Sequence, residues 1–197
     1  MQKVLLLDNY DSFTWNLAQI LEESGLCDFE VIKNDQITIN EAKAFNKIML
    51  SPGPGLPDDA GILKTLVKDL GPSKSILGIC LGHQAIAEVY GIRLKQLKEI
   101  CHGESTTVRI IDEHRDYLFE GLPHIFQAGR YHSWIVDLCS FNKELKVTAL
   151  NENYRIMALS HRTFDIKGLQ FHPESFLTPM GSRIINNWLR NDQNTTG

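Results

Sequence analysis

The stretch SILGICLGHQAIAEVYG, residues 75–91, decides the fold. Ser75 to Ile79 form a short apolar run of strand length. At Cys80-Leu81-Gly82 the pattern turns helical and continues to Gly91, a natural stop. A buried strand feeding straight into a helix is the repeating unit of a parallel α/β sheet. The same unit recurs upstream. Residues 3–7 (KVLLL) read as a buried strand ending at the polar loop Asp8-Asn9-Tyr10-Asp11. A helix follows, with Asp11 or Ser12 as N-cap, Phe13, Leu17, Ile20 and Leu21 on one face, and Gly25 as terminator. Strands at 29–32 and 47–50 come next. The second runs into Ser51-Pro52-Gly53-Pro54-Gly55, where two prolines and two glycines exclude both strand and helix and leave a rigid loop at a strand end. A helix over about 60–70 closes at Gly71-Pro72.

Downstream the pattern changes. Short alternating runs at 106–111, 124–128, 134–138, 145–150, 155–160 and 165–171 predict antiparallel strands added to the parallel core. Thr178 as N-cap, with Pro179 at the first helical position, signals a last helix. No repeat or linker divides the chain, so the reading is one domain over 1–191 and a polar tail over 192–197.

Composition narrows the function. The 197 residues carry 20 Lys+Arg against 24 Asp+Glu, a formal net charge of −4. That leaves no basic excess for neutralising phosphates or binding acidic membranes, so no nucleic-acid or membrane partner is expected. The apolar run after Lys3 is four residues long, too short for a signal peptide, and no stretch approaches a membrane span. A cytoplasmic location is expected. Cysteines at 27, 80, 101 and 139 form no CxxC pair, and the seven histidines include no HExxH, so no metal site is expected.

Cys80 carries the chemistry. Gly78-Ile79-Cys80-Leu81-Gly82 matches the pattern of a G-x-S-x-G nucleophile elbow, with cysteine as nucleophile. Glycines at 78 and 82 relieve crowding at a strained turn, and the dipole of the following helix favours a thiolate. The Leu81 N–H then faces a developing oxyanion. The bland alternative is a buried core cysteine. A catalytic cysteine needs a base and a group to orient it. Phe171-His172-Pro173-Glu174 offers both: Pro173 holds His172 extended, and in an extended chain His172 and Glu174 share a side. The bland alternative here is a strand-end histidine beside a solvated carboxylate.

Together, Ser51–Gly55, Gly78–Gln84 and Phe171–Glu174 resemble the three signatures of class I, triad-type glutamine amidotransferases, in the right order and over nearly the whole chain. The resemblance implies a flavodoxin-like three-layer sandwich whose mostly parallel sheet is extended by antiparallel strands. It implies Cys80 as nucleophile, His172 as base and acid, and Glu174 as orienting carboxylate. Gly55 and Leu81 would form the oxyanion hole, with Gly53 and Pro54 shaping that loop. Gln84, Ser133 and Trp134 would hold glutamine, the last two by backbone, although relatives often carry an aliphatic residue at 134.

The string Asp8-Asn9-Tyr10-Asp11-Ser12-Phe13-Thr14 resembles, more narrowly, the amidotransferase component of anthranilate and aminodeoxychorismate synthases. The resemblance then implies L-glutamine as substrate, no cofactor in this subunit, and a larger chorismate-binding synthase subunit that uses Mg²⁺. His102-Gly103-Glu104 departs from the usual His-Gly-Lys. The alternatives are a γ-glutamyl hydrolase, an amidotransferase subunit of another synthase, and a degenerate binding module.

Overall fold

The computed structural model describes residues 1–98 and 103–191. Its parallel half is built from β1 (Gln2–Asp8), α1 (Thr14–Ser24), β2 (Cys27–Lys33), α2 (Ile39–Ala42), β3 (Lys47–Leu50), α3 (Leu63–Leu70), β4 (Ser75–Ile79) and α4 (Leu81–Val89). After these come β5 (Leu94–Gln96), β6 (Glu104–Ile110), β7 (Ile125–Arg130), β8 (Trp134–Val136), β9 (Leu145–Asn151), β10 (Ile156–His161), β11 (Ile166–Leu169) and α5 (Gly181–Arg190). Nine strands form one sheet in the order β2-β1-β3-β4-β11-β10-β9-β6-β7. The first five are parallel, and β10, β9, β6 and β7 extend the sheet antiparallel.

The three layers follow from alternation along the strands. On β1, Val4 and Leu6 join Leu17 and Leu21 of α1 and Ile184, Ile185 and Trp188 of α5 in one core. Leu5 and Leu7 point the other way, to Leu63, Leu66 and Leu70 of α3 and Ala85 and Ile86 of α4. Strands covered on both faces read as unbroken apolar runs. Among the described residues no helix is long and apolar enough to cross a membrane.

Four expectations need correction here, and one helix is new. The run at 165–171 is not simply an added antiparallel strand: β11 lies parallel to β4 and antiparallel to β10, so it joins the two halves. The run at 134–138 leaves the main sheet, because β8 pairs with β5 in a separate ribbon. Helix α1 starts at Thr14, not after Asp11 or Ser12, since the Asp11 carboxylate accepts from the Phe13 N–H in a preceding turn. Helix α5 starts at Gly181 instead of Pro179. The Thr178 hydroxyl is spent elsewhere, and Gly181 packs hard against the Pro173 carbonyl, where any side chain would collide. Helix α2 was not expected; Thr38 and Glu41 start it with a reciprocal capping box. The tail expected over 192–197, and Cys101 and His102, lie outside the described residues.

Candidate active site

Cys80 sits between β4 and α4 with φ 51° and ψ −95°, a conformation that non-glycine residues seldom adopt. Two backbone bonds hold it there. Its N–H donates to Leu169 O at 2.8 Å, and its carbonyl accepts from Gln84 N at 3.0 Å. The flanking glycines are needed for contact as well as for the turn. A Cβ on Gly78 would lie 2.5 Å from the Gly82 carbonyl carbon, and one on Gly82 would lie 2.7 Å from Leu50 Cβ. The helix therefore starts pressed against the strands, with Cys80 as its N-cap residue. The N–H groups of its first turn, Leu81 among them, have no acceptor within the helix.

The base candidate comes from the segment after β11. His172 Nδ1 lies 2.7 Å from Glu174 Oε1, and both side chains are buried. They meet across a turn at Pro173–Glu174, closed by Ser175 N–H donating to His172 O, and not along the extended chain expected. Burial of the ring, the strongest single influence, opposes protonation, but the Glu174 charge and then Cys80 outweigh it. His172 therefore keeps its proton well above the ordinary histidine range. The backbone is pinned on both sides: His172 N–H donates to Gly129 O, and Thr178 Oγ1 donates to His172 O at 2.7 Å while accepting from Gly129 N. Phe13 and Tyr131 set ring edges against the imidazole at 5.4 and 4.9 Å between centroids. Phe13 belongs to the N-terminal string, which thereby reaches the base.

That string also anchors the loop over 51–55. The Asp8 carboxylate accepts from Tyr10 N–H and the Thr14 hydroxyl. Asn9 donates through its backbone to Ser51 Oγ and through Nδ2 to Ser51 O, and it accepts from Asn34 Nδ2. Gly53 lies against Leu81, where a Cβ would come within 2.6 Å of Leu81 Cδ2. Gly55 has φ 73° and is exposed, as is Pro54, which faces a hollow shared with Asn9 and Tyr10. Asn9, Asn34 and Ser51 escaped sequence reasoning because their roles are contacts between strand ends far apart in the chain.

Gln84 is buried, and its Nε2 donates to Trp134 O at 2.8 Å. A carbonyl is available from any residue, so tryptophan at 134 changes nothing in this bond. Ser133 O accepts from Leu97 N. Gln170, missed in the sequence, joins the group: it is fully buried, with Nε2 3.8 Å from Cys80 Sγ. It stands two residues before His172, but the chain bends at 170–171, so no simple alternation marks it in the sequence. Glu104 pairs across the β6–β7 ladder with Arg130, its carboxylate 3.5 Å from the guanidinium. A lysine at 104 would set two cations opposite each other.

Two further histidines lie close by, His83 on α4 and His132 before β8. The His132 ring makes no hydrogen bond among the described residues, His83 has only the Gly168 backbone beside it, and desolvation drives both down to about 3. Folded chain thus binds fewer protons than unfolded chain between about pH 3 and 6.5, so stability falls as the pH drops through that window. His172 works the other way, its contribution being complete below about 6.5 and lost only as pH rises through its folded value. At pH 5 His83 and His132 should each cost about 2 kcal/mol relative to neutral pH. We expect the urea midpoint to fall between pH 7 and 5, and His83→Leu to remove about half the fall. A midpoint independent of pH over that range would refute the assignment.

The family model described as glutamine amidotransferase class-I matches residues 5–191. Anthranilate synthase beta subunit 1, chloroplastic, from Oryza sativa is 45% identical over 194 residues, covering 96% of this chain and 67% of that protein. Aminodeoxychorismate synthase component 2 from Klebsiella aerogenes is 40% identical over 188 residues, covering 94% and 98%. The crystal structure of a glutamine amidotransferase from Thermotoga maritima superposes with a TM-score of 0.79, covering 96% of this chain and 99% of that one. At 14% identity that likeness is one of fold. Sequence and architecture agree: this chain belongs to the class-I glutamine amidotransferase family.

Proposed function

We propose that this chain is the glutaminase subunit of a two-component, chorismate-using synthase, making anthranilate or aminodeoxychorismate from ammonia it releases. The observation that carries the chemistry is the buried 2.7 Å His172–Glu174 pair, coupled by charge to a cysteine held in a strained strand-to-helix turn. The choice of synthase is supported by relatives named as components of those two enzymes.

The Cys80 thiolate attacks the side-chain amide carbon of L-glutamine. The oxyanion is held by N–H groups of Leu81 and Gly55, with Gly53 and Pro54 shaping the loop. His172, protonated, gives its proton to the departing amide nitrogen, which leaves as ammonia. Water then attacks the γ-glutamyl thioester, His172 takes the water's proton, and glutamate leaves as the thiolate is restored. Gln84, Ser133 and Trp134 hold the amino-acid end of the substrate. None of these steps calls for a metal or organic cofactor, and any Mg²⁺ belongs with chorismate in the larger subunit. Cys27, Cys80 and Cys139 are free thiols, which supports a reducing, cytoplasmic setting.

Glutamine hydrolysis without an acceptor is wasteful, and a physical route to control exists. Gly55 is exposed and left-handed, so rotation of one peptide can remove or restore one oxyanion donor. We expect the chain alone to hydrolyse glutamine about 10²- to 10³-fold more slowly than with its synthase subunit saturating, the worth of one such donor. Each candidate synthase subunit, anthranilate or aminodeoxychorismate, is added separately with glutamine and chorismate. Activation by neither would overturn the proposed function.

A further inference from the structure

The triad leaves one polar side chain at the sulfur without a role. Gln170 follows β11, is fully buried, and touches two groups of the site. Its Oε1 accepts from Gln84 Nε2 at 3.4 Å, and its Nε2 lies 3.8 Å from Cys80 Sγ. Gln84 Nε2 also donates to Trp134 O at 2.8 Å. The polarity of this chain is settled at its far end. A backbone carbonyl can only accept, so Gln84 must turn its amino group towards Trp134 and Gln170. Gln170 must then turn its oxygen to Gln84 and its own amino group to the sulfur. A thiolate, which only accepts, completes the series.

We propose that Gln170 is a thiolate-positioning residue: its amide donates to the Cys80 sulfur and, through Gln84, ties the nucleophile to the Trp134 carbonyl beside the substrate. The backbone explains the placement. β11 carries Gly168 and delivers Gln170 just past its end, and the chain bends at 170–171 before His172. Gly168 meets His83, Gln170 meets Gln84 and Cys80, and His172 acts on Cys80. The sulfur thus has an amide donor from Gln170, while the His172 imidazole two residues on is coupled to it by charge. This inference rests on the glutaminase reading above.

The test is the rate at which iodoacetamide alkylates Cys80, followed by peptide mapping from pH 6 to 9, in wild type and Gln170→Met. Methionine fills a similar volume and donates nothing. Loss of a donor to the ionised sulfur should displace the profile to higher pH by about one unit. A folded Gln170→Met protein with the wild-type profile would overturn the proposal. Should that variant fail to fold, Gln170→Leu decides on the same readout, because it too is apolar and donates nothing; an unshifted profile again overturns it. Glutamine protection of wild-type Cys80 is measured alongside. Its absence would refute the glutaminase reading itself, whereas protection with unshifted variants would refute the role of Gln170 alone.

Discussion

Cys80→Ser is expected to abolish glutamine-dependent synthesis while ammonia-dependent synthesis by the larger subunit continues. A serine hydroxyl at this position is a far weaker nucleophile than a thiolate. The His172–Glu174 pair is arranged to hold a proton, whereas a serine nucleophile must first give one up. The loss should exceed about 10⁴-fold, since removing the nucleophile of a comparable triad costs about 10⁶ in turnover. The competing cysteines differ in ways that make labelling informative. Burial pushes the Cys27 thiol up to about 11, and Cys139 is exposed on a short 3-10 turn. A glutamine-like electrophile, which needs the glutamine site to react, should mark Cys80 ahead of Cys27, Cys101 and Cys139. Retained glutaminase activity in a clean Cys80→Ser preparation would remove the cysteine from the mechanism.

Glu174→Gln should cost less, between about 10² and 10⁴ in kcat, the upper figure being that of the equivalent change in a serine triad. The carboxylate does two things here. As an acceptor at 2.7 Å it keeps the proton on Nδ1, and its charge offsets the desolvation of the ring. An amide supplies no charge and can present either end to Nδ1. With that charge gone, burial dominates and His172 loses its proton at lower pH, so the alkaline limb of the kcat profile should move down. Full activity with an unmoved limb would show that Glu174 is structural.

Much of the fold could be read along the chain because its signals are local. KIML at 47–50 and SILGI at 75–79 are strands with those bounds, and Gly25 ends α1 in the left-handed conformation. Errors came where a residue's partner lay far away. Thr178 looks like a helix cap, yet its hydroxyl spans Gly129 and His172. The run at 134–138 alternates like a sheet strand, yet among the described residues it pairs only with the three-residue β5. Periodicity reports which face of a strand is buried, not which strand lies beside it.

The sequence by itself determined the elbow around Cys80, the His172–Glu174 spacing and the α/β alternation. Each of these depends on residues within a few positions of one another. Only tertiary structure decided what surrounds the sulfur. It set β11 parallel to β4, in register at Gly168–Gly78 and Leu169–Ile79, which puts Gln170 and His172 beyond that end, beside Cys80. It brought Phe13 to the base and Asn9 to the loop at 51–55, and matched Glu104 with Arg130. Strand order and register are settled by packing across the whole sheet, where residues a hundred positions apart become neighbours, and no local pattern encodes that proximity.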